Sequence, residues 1–199
     1  MGFRKKSALL LCMLILCLPS ACSYGNRPQV VIGDGGLISG EPCSAPCFWN
    51  INPGITTEKE ALQILSQKLN VKNCDSWDKD ESGRDKGIRC ESIGITFDNN
   101  IVNTVSFRPS EIVTVEELME KYGAPDGIFV AALGISAQPP IAMMLYFDTV
   151  NMVIHLPEQD SRIYNLQSDT LVESVVYMSK TEYLSTKNLR QEWTGYGGY

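Results

Sequence analysis

One helix start, written twice, constrains this chain more than any other feature. From Pro42 to Leu65 the chain reads PCSAPCFWNINPGITTEKEALQIL, and the second half of that stretch returns in fainter form from Ile112 to Pro125. Pro53-Gly54 marks a turn. Thr57-x-x-Glu60 then fits a capping box, in which the hydroxyl accepts an orphan amide at the helix start and the Glu reaches back. Ala61, Leu62, Leu65 and Leu69 recur at one-face helical spacing, and Lys68 suits the negative pole of the helix dipole. The spacing predicts a helix over 57–69. At Thr114-x-x-Glu117 the box recurs, with Val113 and Leu118 placed as a hydrophobic staple. Val115, Leu118, Met119 and Tyr122 share a face, and Gly123 followed by Pro125 is a stop signal. A second helix is predicted over 114–122.

Strands account for most of what lies between and after these helices. Ile93, Ile95 and Phe97 alternate, Asp98-Asn99-Asn100 turns, and Ile101, Val105 and Phe107 return on one face, so 92–107 reads as a hairpin. Further strands are predicted at 128–133, 142–147, 152–156 and 171–178. Phe147-Asp148 echoes Phe97-Asp98 as a strand end before a turn. The expected fold class is α+β, an antiparallel sheet packed by two short helices. The interval from Thr57 to Thr114 is longer than solenoid periods. It suggests a tandem duplication of a helix-plus-sheet unit, 42–110 and 111–184, within one domain. Residues 185–199 show no periodicity and read as a disordered tail.

The N-terminus belongs to a different class of segment. Arg4, Lys5 and Lys6 form a basic head, and residues 8–18 are an almost continuous apolar run, too short to span a membrane as a stable helix. The run ends in Pro19-Ser20-Ala21-Cys22, which resembles the lipobox of bacterial lipoproteins, where a small pair precedes a Cys that is acylated and becomes the new N-terminus. Ser20, Ala21 and Cys22 match; Pro19 stands where that family prefers Leu. The resemblance implies a signal peptide at 1–21 and lipid on Cys22, with ordinary cleavage after Ala21, and hence secretion, or an uncleaved anchor as the alternatives. Removing Arg4, Lys5 and Lys6 takes the 17 Lys and Arg to 14 against 23 Asp and Glu, a net charge of −9. An acidic chain without a basic stripe is a poor nucleic-acid binder. Residues 22–41, rich in Gly, read as a flexible tether.

Four of the seven cysteines remain after Cys12, Cys17 and Cys22 are set aside: Cys43, Cys47, Cys74 and Cys90. An even number in an exported chain favours two disulfides, with three pairings open. Cys43–Cys47 and Cys74–Cys90 are favoured because both close short loops. Redox dithiols usually sit as C-x-x-C at a helix start, and four-Cys zinc needs two short spacings, so neither alternative fits well.

Other chemistry is sparse. His155, the only histidine, lies opposite Ile154 and Leu156 on a predicted strand, and no nucleophile-elbow sequence exists to partner it. Asp78-x-Asp80-x-Ser82-Gly83 matches the first half of a calcium loop, but Arg89 stands where the bidentate Glu belongs. Glu58, Glu60, Glu116 and Glu117 are helix-start charges. No cofactor is expected.

Pro53 to Leu65, and Thr114 to Pro125 with its Tyr-Gly-Ala-Pro ending, resemble the pattern of small outer-membrane lipoproteins of the SmpA/OmlA type, and the β-lactamase-inhibitor proteins have a similar tandem fold. The run from Pro46 to Thr57 also resembles a group of uncharacterised exported bacterial proteins. These resemblances imply helices on antiparallel sheet and a protein-binding role, with no catalytic residues to carry over. The expectation is a membrane-anchored extracytoplasmic lipoprotein acting as a non-catalytic protein-binding or envelope-assembly module. Tyr146, His155 and Tyr177 are the candidates for its binding face. A soluble exported small-ligand-binding protein, or a hydrolase using His155 and carboxylates, are the alternatives.

Overall fold

Both capping boxes form. The Thr57 hydroxyl accepts the Glu60 amide while the Glu60 carboxylate accepts the Thr57 amide at 2.9 Å. Thr114 and Glu117 repeat the arrangement at 2.8 Å. The computed structural model describes residues 31–69, 74–78, 85–135 and 138–199. It places helix α1 at Glu58–Lys68, α2 at Val115–Tyr122, and a third, α3, at Lys180–Ser185, which no sequence periodicity announced. Cys22, the expected signal peptide and tether up to residue 30, and Asp80 and Ser82 of the calcium-like loop lie outside the described residues.

Eight strands form one antiparallel sheet. They are β1 (Asp75–Trp77), β2 (Lys86–Cys90), β3 (Ile93–Asp98), β4 (Ile101–Phe107), β5 (Gly127–Ala132), β6 (Ile141–Phe147), β7 (Met152–His155) and β9 (Ser174–Met178). Their order is β1-β2-β3-β4-β9-β7-β6-β5, and β8 (Asn165–Leu166) pairs separately with β10 (Gly197–Gly198). The fold is α+β, with strands dominant.

That order is a palindrome. Each half runs helix and then four-stranded meander, and the last strands of the halves, β4 and β9, pair antiparallel at the centre. The backbone repeats the relation. Thr57 bridges Ile101 at the start of β4, and Thr114 bridges Leu171 ahead of β9. The Glu58 amide donates to the Asn100 carbonyl at 2.8 Å and the Val115 amide to the Thr170 carbonyl at 2.9 Å. The echo between Phe97-Asp98 and Phe147-Asp148 is no part of this symmetry. Phe97 lies in β3, next to the central strand of its half, whereas Phe147 lies in β6, one strand further out.

The helix-covered face holds the core. One cross-strand row reads Ile95, Val105, Tyr177, Met152, Phe147 and the next reads Ile93, Phe107, Val175, Ile154, Leu145. All ten are buried, as are Ala61 and Leu65 of α1 and Val115 and Leu118 of α2. Each fully buried aliphatic or aromatic side chain of this size contributes about 1.5–3 kcal/mol. Phe48 stacks on Trp49 and Phe107, and Phe107 meets Tyr177 edge-on, which fixes the 42–51 loop against the sheet. Both expected disulfides are present, Cys43–Cys47 and Cys74–Cys90, with Cα separations of 5.7 and 4.4 Å.

Two segments depart from expectation. The tether expected over 22–41 is folded from Ile32 onward, with Leu37 fully buried. The Asp34 carboxylate accepts the amides of Gly36, Ile38 and Ser39 and the Ser39 hydroxyl, closing a tight loop. Gly35 sits at φ +65°, where a Cβ would come within 2.4 Å of the Phe107 ring. The glycines here serve close approach and left-handed backbone rather than flexibility. The tail expected to be disordered over 185–199 is also seated. Gln191 exchanges backbone hydrogen bonds with Ile128 at the β5 edge, Tyr199 does the same with Tyr164, and Trp193 stacks on Tyr199.

Candidate binding face

An antiparallel sheet covered by helices on one face offers its other face to a partner. Here α1 and α2 cover the core face, and the alternating residues of each strand point the other way. Three rows make up this second face: Thr96–Thr104–Met178; Gly94–Ser106–Val176–Val153–Tyr146; and Ser174–His155–Met144–Phe129. The first half of the sheet contributes a polar strip. The Thr96 and Thr104 hydroxyls lie 2.8 Å apart, and the Ser106 hydroxyl donates to the Gly94 carbonyl at 3.2 Å. The second half contributes half-buried apolar residues, Phe129 and Met144 among them.

Part of this face is closed. Tyr183 of α3 lies against Tyr146 and Val153, forming a small second core. The Arg190 guanidinium sits 4.3 Å from the centroids of both Tyr146 and Tyr183. Arg190 also donates to Asp148 at 2.6 Å and to the Tyr183 carbonyl at 3.1 Å, and the Tyr183 hydroxyl donates to Asp148 at 2.8 Å. Burial works against the Asp148 carboxylate. Hydrogen bonds from Tyr183 and Arg190, with the positive charges of Arg190 and Lys187, outweigh it and hold the carboxyl below its usual range.

The three residues expected to share an open face do not share one. Tyr177 is fully buried on the core side, its pKa pushed up chiefly by burial. Tyr146 is on the second face but only 3% exposed, because Tyr183 and Arg190 cover it. His155 alone lies on the open part, half-buried between Met144 and Ser174 on the neighbouring strands. Burial lowers its pKa, with the Glu173 charge opposing. No hydrogen bond joins His155 to the Ser174 hydroxyl beside it, and Glu173 is engaged by Arg108 at 2.9 Å.

At the sheet end that holds the β3–β4 turn, a shallow cleft of about 460 Å³ is lined by Asp85, Asp98, Asn103, Ser179 and Glu182. The Asn103 amide donates to Asp85 at 3.2 Å and Glu182 at 3.3 Å, and its carbonyl accepts from Ser179 at 2.7 Å. Among the described residues no three His, Cys, Asp or Glu side chains group as a metal site, and no helix is long and apolar enough to cross a membrane. No protein-family model, curated protein or solved structure matches the chain.

Proposed function

We propose that this is an extracytoplasmic lipoprotein, anchored to a bacterial membrane through lipid on Cys22, whose domain is a non-catalytic binding module for another protein. The observation that carries the reading is the part of the second sheet face that α3 leaves open, polar at Thr96, Thr104 and Ser106 and bordered by half-buried Phe129 and Met144, which pack against the Tyr146–Val153–Tyr183 cluster. A sheet face with a polar strip and an apolar border suits a protein surface better than a small molecule, which calls for a concave pocket. Two disulfides fit a chain that folds in an oxidising compartment. The Ser20-Ala21-Cys22 run supports the lipid. The acidic surround favours basic partners on encounter.

Two experiments test the parts separately. Replacing Cys22 by Ser should release the protein from membranes, and a mature N-terminus that carries no lipid mass would refute the anchor. Screening the purified protein against generic hydrolase and oxidoreductase substrates should give no turnover. Turnover that disappears with His155→Ala would replace the binding reading by an enzyme.

A further inference from the structure

We infer that the cleft beside the start of α1 is a docking site for a tyrosine side chain of a partner protein, one with a carboxylate next to it. The site lies beside a helix of the core face, apart from the open sheet face, and depends neither on that face nor on lipid at Cys22.

The chain supplies its own example of the occupant. Its two halves start α1 and α2 from equivalent capping boxes at Thr57 and Thr114, so Lys59 corresponds to Glu116 and Leu62 to Met119. The turns that close on these caps correspond as well. Asn100 and Ile101 meet Glu58 and Thr57 as Thr170 and Leu171 meet Val115 and Thr114. In the second half a tyrosine lies at this place. The Tyr196 hydroxyl donates to Met119 Sδ at 3.2 Å. Burial, with the Glu116 charge adding to it, pushes the Tyr196 pKa up. Gly197 pairs with Leu166 and Tyr199 exchanges backbone hydrogen bonds with Tyr164, so an extended segment delivers the ring to α2.

In the first half the corresponding place is a cleft of about 470 Å³, with Leu62 and Ile101 as its apolar lining. Both are half-buried. That volume is in the range of sites that hold small organic groups. Tyrosine is also a side chain that interfaces favour as an anchor, since it brings a large apolar ring and a polar tip together.

The charge at the cleft selects what accompanies the ring. Lys86 is answered by Glu58 at 2.6 Å and by the Asp78 charge. Lys59, exposed at the rim, makes no ion pair among the described residues. Where the second half sets Glu116 beside its own tyrosine, the first half therefore offers an unanswered ammonium. A tyrosine with a neighbouring Asp or Glu complements Leu62, Ile101 and Lys59 together.

The test is amide NMR of the full chain, with Cys22→Ser so that no lipid is attached, titrated with blocked tripeptides. Asp-Tyr-Asp is expected to shift the amides of Lys59, Leu62, Asn100 and Ile101 saturably, and Asp-Ala-Asp to leave them in place. The amide of Gln63, which lines a separate groove on the other flank of α1, should move little. Lys59→Glu keeps the fold, since the side chain is exposed. It should weaken Asp-Tyr-Asp several-fold and make Lys-Tyr-Lys the better ligand. No saturation by Asp-Tyr-Asp up to about 10 mM, or an equal response to Asp-Ala-Asp, overturns the inference. Shifts confined to the open sheet face overturn it too. Shifts at the cleft that grow with protein concentration and vanish with Tyr196→Ala assign it to a second copy of the chain, and also overturn it.

Discussion

Arg190→Ala is the sharpest test of how the C-terminal segment is held. The side chain is 8% exposed and lies between two tyrosine rings. Each ring contact with a guanidinium largely out of water is worth about 1 kcal/mol. The ion pair with Asp148 is worth less than its 2.6 Å suggests, because Asp148 is 38% exposed and keeps the Tyr183 hydroxyl and Lys187. At such partial exposure it counts for about 1 kcal/mol. The sum is about 3 kcal/mol, which at a urea m-value of about 2 kcal/mol/M lowers the unfolding midpoint by about 1.5 M. Equilibrium urea unfolding measures it, and amide exchange should show faster opening over 180–192. Arg190→Lys should recover only about 1 kcal/mol, since an ammonium cannot lie flat between two rings. A midpoint unchanged by Arg190→Ala, with exchange over 180–192 also unchanged, would refute the clamp.

Other expectations follow from single contacts. Replacing both Cys74 and Cys90 by Ser opens a loop with sequence separation 16 and should cost about 3 kcal/mol on the loop-closure argument, read by thermal unfolding. Gly35→Ala should cost more than about 1 kcal/mol, since it combines a left-handed backbone with a collision against Phe107. Tyr177→Phe should leave stability unchanged within about 0.5 kcal/mol, because the buried hydroxyl donates to no protein acceptor among the described residues. His155 has a folded pKa below its unfolded value. As pH falls below about 6.5 the unfolded chain takes the proton first. Stability should therefore fall with acidification until His155 is protonated in the folded state too, and His155→Gln should flatten that slope in pH-dependent melting curves.

What was legible in the sequence was whatever local chemistry decides. Thr57-x-x-Glu60 and Thr114-x-x-Glu117 dictate their helices through hydrogen bonds within four residues, and both form. The β3–β4 hairpin is as local, its alternation and Asn turn acting together. The choice of open face was not local. Leu145-Tyr146-Phe147 is apolar on both sides of β6, so alternation could not say which side α3 and Arg190 would cover. Strand β2 has no local signal, because Lys86-Gly87-Ile88-Arg89-Cys90 carries little apolar pattern. Its pairing is imposed by β3, and Gly87 is needed there because a Cβ would meet the Trp77 ring at 2.3 Å. The folding of residues 31–41 turns on Asp34, whose carboxylate gathers the amides of a loop that composition alone reads as flexible. Burial opposes that charge, but those hydrogen bonds lower the Asp34 pKa overall.

Site-specific photo-crosslinking in intact cells tests the binding face most directly. A photoreactive residue at Met144, on the uncovered face, is compared with one at Gln63, exposed on α1. A single defined protein adduct is expected from position 144, none from 63, and the adduct should vanish when Thr104→Arg raises a charge in the middle of the face. No adduct from 144, or equal adducts from both positions unaffected by Thr104→Arg, would contradict a partner bound on the open sheet.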